Sequence, residues 1–105
     1  MVPVIHKTAI FQVRPDGLDR AAAAIREFVE YVRANEPGTV RYESYQERDD
    51  PTRFVHVFTF RDSAAEHVHS CSEAVKKFTA VLYPLCVQPV RFTDLSMVAT
   101  TESRP

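Results

Sequence analysis

Arg53-Phe54-Val55-His56-Val57-Phe58-Thr59-Phe60-Arg61 carries no charge between its two terminal arginines. Side chains alternate along a strand, so Phe54, Phe58 and Phe60 fall on one face and Val55, Val57 and Thr59 on the other. A strand apolar on both faces is covered on both faces. This segment therefore belongs inside a sheet, with helices on one side and a second covering layer on the other.

The flanking sequence supplies the rest of that sheet. Upstream, Thr39 to Glu47 alternates, with Val40 and Tyr42 on one face and Glu43, Tyr45 and Glu47 on the other. Arg48-Asp49-Asp50-Pro51 is a turn that closes a hairpin. Leu18, Ala22, Ile25, Val29 and Val32 recur at helical steps, which predicts a helix over 18–35 with one buried stripe. Asp16 is the expected N-cap, and Glu36-Pro37-Gly38 the stop. Val4 to Val13 reads as the first strand, ended by Arg14-Pro15-Asp16-Gly17.

Downstream, Ser63-Ala64-Ala65-Glu66 and Ser70-Cys71-Ser72-Glu73 each place serine three before glutamate, the capping-box signature. They predict a short helix over 64–69 and a longer one over 71–83, its stripe made of Ala74, Val75, Phe78, Val81 and Leu82. Val90 to Ala99 reads as a last strand, and 100–105 as a loose tail. The order strand, helix, strand, strand, helix pair, strand is that of an α+β, ferredoxin-like split β-α-β fold with a four-stranded antiparallel sheet. The helices cover one side only, so a second copy of the sheet is expected on the other, giving a homodimer built around an apolar pocket.

Composition narrows the function. The 105 residues fit one domain spanning 1–105, and an apolar fraction of 45% with 26% charged residues is ordinary for a globular chain. A net charge of -1 with the two signs interleaved gives no basic stripe for nucleic acid. Met1 to Lys7 is too short and polar for a signal peptide or membrane span, which points to no membrane and to the cytoplasm. Cys71 and Cys86, read on one helix, stand roughly 20 Å apart at ~1.5 Å per residue. That is beyond the ~7 Å a disulfide tolerates.

The chain resembles the antibiotic biosynthesis monooxygenase family, the dimeric α+β barrel proteins that include quinol monooxygenases. The residues that carry the likeness are Pro15-Asp16-Gly17, Glu36-Pro37-Gly38-Thr39 and the run from Phe60 to Phe78. Within that run, His69-Ser70-Cys71-Ser72 places a histidine three before a serine, and Val75-Lys76-Lys77-Phe78 follows. The resemblance implies oxygenation of an electron-rich aromatic, quinol or polyketide-type compound by dioxygen, with no cofactor and no metal. Phe60 stands where many members have tryptophan, and Glu66 where many have leucine. The haem-degrading branch depends on that tryptophan, so the phenylalanine argues against haem oxygenation.

Chemistry of this kind needs a base, a dry aromatic pocket and a hydrogen-bond donor for the developing anion. His69 is the candidate base, since an imidazole titrates near neutrality. The competing reading of His69 is a structural imidazole linking two helices. Tyr42, Tyr45 and Tyr83 are candidate donors, and Phe54, Phe58, Phe60 and Phe78 candidate walls for a small aromatic ligand. Tyr42 and Tyr45 have opposite parity, so at most one of them faces a given pocket. His6 and His56 lie on neighbouring strands without a carboxylate or thiolate cluster, and His67 and His69 lack helical ligand spacing, so no metal site is expected. Lys76-Lys77 reads as a solvated helix face. The alternative functions are a non-catalytic binding module in the same pocket and an isomerase or cyclase of a related barrel family.

Overall fold

The structure is a computed structural model and describes residues 4–102. Met1, Val2 and Pro3, and 103–105 of the expected tail, lie outside the described residues. The chain runs through β1 (Ile5–Gln12), a 3₁₀ turn (Pro15–Gly17), α1 (Leu18–Asn35), β2 (Thr39–Gln46) and β3 (Arg53–Phe60). It continues through α2 (Ser63–Ser70), α3 (Glu73–Leu82), a second 3₁₀ turn (Tyr83–Leu85) and β4 (Arg91–Leu95). The strands pair antiparallel in the order β2-β3-β1-β4. This is the expected ferredoxin-like α+β architecture. β4 is shorter than expected and stops at Leu95, with 96–102 outside any helix or strand.

Alternation decides which side chains meet the helices. On β3, Phe54, His56, Phe58 and Phe60 are all buried on the helix side, and the register sets Phe58 opposite both Lys7 of β1 and Tyr42 of β2. α1 buries Ala21, Ile25, Phe28 and Val32 against them. The predicted stripe was one position off for much of its length: Ala22 and Val29 are only partly buried, while Ala21 and Phe28 point into the core. Both rows have the same period, and only the position of the sheet selects one. Phe28 stacks on Phe78 of α3 with ring centres 4.5 Å apart. Each such buried aromatic stabilises the fold by roughly 1.5–3 kcal/mol.

The helix starts differ from the predicted ones. Asp16 pairs with the Arg14 side chain, and α1 begins after Gly17 with no side-chain cap. α2 is capped by Asp62, whose carboxylate accepts from the Ala65 amide at 2.8 Å, so Ser63 is already inside the helix. α3 is capped by Ser72 through the Val75 amide at 3.0 Å, and Ser70 instead closes α2 by donating to the Glu66 carbonyl. Neither glycine has a positive φ, so Gly38 does not serve as a left-handed turn residue. A β-carbon at Gly38 would lie 2.5 Å from the Ala65 β-carbon, so its smallness lets α2 dock on the Glu36–Thr39 turn. Cys71 and Cys86 are both free, and they follow the ends of α2 and of the second 3₁₀ turn rather than sharing one helix.

The second sheet face corrects the expectation of a uniformly apolar layer. Ile10, Val55 and Val57 occupy its middle, but Thr8, Thr93, Arg41, Glu43 and Gln12 share the same parity. It is an apolar centre within a polar frame.

Candidate functional site

The pocket lies between the helices and the sheet, on the helix-covered side rather than on the face expected to meet a second copy, and residues of one chain line it. The volume is about 190 Å³, against the ~150 Å³ that holds a benzene. Ala9, the small residue of β1 opposite His56, and the break between α2 and α3 leave the space. Phe28, Tyr42, Phe58, Phe60 and Phe78 give it an aromatic lining, and Tyr83 and Phe92, both more exposed, stand at its opening.

His69 enters this lining from the last turn of α2. Its Nδ1 lies 2.8 Å from Glu36 Oε1, at the end of α1, and the Glu36 side chain is almost completely buried. Thr39 Oγ1 donates to the same oxygen at 2.8 Å. A carboxylate oxygen only accepts, so the hydrogen bond assigns a proton to Nδ1, and in the neutral imidazole the lone pair then stands on Nε2. Nε2 has no protein partner among the described residues and is not sealed from solvent. The ring is caged by Phe60 at 5.1 Å, Phe28 at 5.5 Å and Tyr42 at 5.8 Å between centres. Phenylalanine at 60 thus fills the aromatic slot beside His69.

A second polar pair stands nearby. The Tyr42 hydroxyl and His56 Nδ1 are 2.9 Å apart. Burial pushes the His56 imidazole down to about 4, which keeps it neutral at physiological pH. Burial, with the charge of Glu36 adding to it, pushes the Tyr42 phenol well above its usual range, so it stays protonated. Also in the pocket wall, Lys7 reaches Glu66 at 2.6 Å and Asp94 at 3.2 Å. These contacts, the hydrogen bond to Glu66 first, raise the Lys7 ammonium.

The structure therefore unites His69, Tyr42, Phe58, Phe60, Phe78 and Tyr83 around one pocket. It does not bring in two of the expected residues. Tyr45 lies on the opposite sheet face, 51% exposed, with its hydroxyl on Glu43. Phe54 is buried, but it stacks on Phe11 at 5.2 Å in the core and is absent from the pocket wall. His6 and His56 occupy opposite faces, His6 beside Thr59 at 3.1 Å, and do not approach as a pair. Glu36, His56 and Phe28 were missed. The signal for His56 was its parity, shared with three phenylalanines of an uncharged strand. No group of three or more His, Cys, Asp or Glu side chains is placed to hold a metal among the described residues.

The family model for antibiotic biosynthesis monooxygenase matches residues 4–81. The chain belongs to that family. Solved structures agree on the fold of this antibiotic biosynthesis monooxygenase family member. A Bacteroides thetaiotaomicron protein that bears the same family name superposes with a TM-score of 0.87 at 18% identity, over 97% of this chain and 96% of that one. Rv0793 from Mycobacterium tuberculosis gives 0.85 at 23% identity, over 95% and 100%. PA3566 from Pseudomonas aeruginosa gives 0.82 at 24% identity, over 94% and 98%. No curated protein matches the chain.

Proposed function

We propose that this family member is a cofactor-independent monooxygenase that oxidises a small aromatic, quinol or polyketide-type compound with dioxygen, and that it works as a homodimer. The observation that carries this reading is the His69 imidazole, free at Nε2 inside an aromatic pocket and held at Nδ1 by the buried Glu36. Nε2 takes a proton from the phenol or activated methylene of the substrate. The resulting carbanion or phenolate is electron-rich enough to pass one electron to dioxygen, and recombination of the two radicals forms a carbon–peroxide bond. For a methylene, loss of water from the peroxide leaves a carbonyl. One oxygen atom stays on carbon, and the other leaves as water with the two methylene hydrogens. Glu36 fixes the tautomer and stabilises the imidazolium formed at the first step, and the phenylalanine wall keeps water from the anion. Tyr42, Phe58, Phe60, Phe78 and Tyr83 are the proposed contacts to the ring.

Oxygen uptake with anthrone and with naphthoquinols tests the reaction. His69→Ala is expected to slow it by roughly tenfold or more. Equal slow uptake by wild type and variant overturns the base assignment. The Glu36–His69 contact also ties α1 to α2, which a binding module equally needs; thermal stabilisation by these compounds without turnover selects that second reading. Conversion that proceeds equally under nitrogen selects an isomerase or cyclase.

A further inference from the structure

Glu36, Pro37, Gly38 and Thr39 form one turn, closed by the Thr39 amide donating to the Glu36 carbonyl at 3.0 Å. β2 then begins with an irregularity: Thr39 stands opposite Phe60 and Arg41 opposite Thr59, so Val40 is an extra residue in the pairing. A bulge of this kind re-aims a side chain. Here it leaves Val40 65% exposed and sets Thr39 opposite the buried Phe60, where its hydroxyl meets Glu36 Oε1 at 2.8 Å. His69 Nδ1 meets the same oxygen at 2.8 Å, while Glu36 Oε2 is sealed from water with no hydrogen-bond partner among the described residues. A buried carboxylate keeps its charge through the donors it has, and this one has two, both on one oxygen. Resting on the reading of His69 as the base, we propose that Thr39 is a positioning residue that holds Glu36 ionised, and so keeps the imidazole proton on Nδ1 and the lone pair on Nε2.

The competing arrangement puts a proton on the Glu36 carboxyl, which then donates to Nδ1, leaves the imidazole proton on Nε2 and removes the base from the pocket. The Thr39 hydroxyl favours the charged form of the carboxylate and opposes that uptake. The other groups that share the surroundings of the pair come from every neighbouring element. β2 gives the protonated Tyr42, and β3 the neutral His56. Arg61, just after β3, lines a hollow of about 160 Å³ with Glu36 and Thr39. Glu66 of α2 is held by Lys7 of β1, and α1 and α3 contribute Phe28 and Phe78. Among the described residues none of these donates to the carboxylate, so beside His69 it is Thr39 that sets its charge.

The test is nitrogen NMR of histidine-labelled wild type, Thr39→Val and Thr39→Ser, without ligand, followed from mildly alkaline to acid pH. The His69 signals are those that His69→Ala lacks. At the alkaline end, wild type is expected to show the proton on Nδ1 and a bare Nε2. Thr39→Val keeps the shape and loses the donor, so the carboxylate gains proton affinity. The midpoint at which Nε2 takes up a proton is expected to move upward by about half a pH unit or more. Thr39→Ser, which keeps the hydroxyl, is expected to restore the wild-type midpoint, and the acid limb of the oxygen-uptake rate to move with it in each variant. A wild type with its proton on Nε2 overturns the proposal. So does a Thr39→Val that titrates like wild type, or a shift that Thr39→Ser shares. Should Thr39→Val fail to fold, as judged by urea unfolding, Thr39→Ala decides by the same comparison. Because the spectra need neither substrate nor oxygen, the proposal stands or falls apart from turnover: absence of oxygen uptake bears on the reaction alone.

Discussion

Two histidines face one pocket with opposite electrostatic surroundings. His69 leans on a buried carboxylate, and His56 on a phenol that stays neutral. Removing the carboxylate charge while keeping the shape isolates the first arrangement. Glu36→Gln is expected to cut the rate of oxygen uptake roughly tenfold, and Glu36→Gln with His69→Ala to be no slower than His69→Ala alone, since the two residues act as a unit. The second arrangement shows in acid. Folded His56 titrates at about 4, against an ordinary 6.5. As pH falls below 6.5 the unfolded chain takes up the proton first, so His56 lowers stability progressively down to pH 4, by at most about 3 kcal/mol. The groups packed on it are Tyr42, Phe11 and Phe78, and none offsets a positive charge. Urea unfolding from pH 7 to 4.5 is expected to show a shallower decline for His56→Phe than for wild type.

α2 is the element on which the base depends, and it is fixed at its first turn. Asp62 caps its start, and Gly38 lets Ala65 settle on the turn that carries Glu36. Asp62→Ala is expected to cost roughly 1 kcal/mol in urea unfolding. Gly38→Ala, by overpacking, is expected to cost roughly 1–3 kcal/mol and to lower activity further by moving His69 off Glu36. Unchanged activity in a destabilised Gly38→Ala would separate docking from chemistry. These same residues show where the sequence is readable. The order of elements followed from periodicity and parity, because those record which face of each element is apolar. The caps did not: Asp62 and Ser63 are both good capping residues one position apart, and the docking of α2 on Gly38 chooses between them. Phe28 and Glu36 were hidden for a related reason. The rows 18, 22, 25, 29 and 21, 25, 28, 32 are equally helical, and a glutamate before proline reads as a helix stop until a histidine 33 residues away is seen to meet it.

At the scale of the molecule, the sheet has a helix-covered side and an open side. Its radius of gyration, 14.3 Å, exceeds the ~13 Å of a compact chain this long. Leu95 on this open side is exposed, the centre of the face is Ile10, Val55 and Val57, and Met97 and Val98, just after β4, are exposed as well. Pairing through this apolar surface is the proposed dimer, and light scattering of the native protein is expected to give twice the chain mass. Ile10→Lys, in the middle of that face, is expected to give a monomer that still binds naphthoquinols, because residues of one chain line the pocket; loss of binding together with loss of the dimer would instead assign part of the pocket to the partner. Lys7 adds a last consequence. It holds Glu66 of α2 and Asp94 of β4 together, so this polar part of the pocket wall is fastened by charge and the rest of the chamber by carbon. Dissolved electrolyte loosens only the first of these. Raising sodium chloride should therefore quicken both the arrival and the departure of a neutral guest while leaving the tightness of its stay nearly constant, a signature that stopped-flow mixing would read directly.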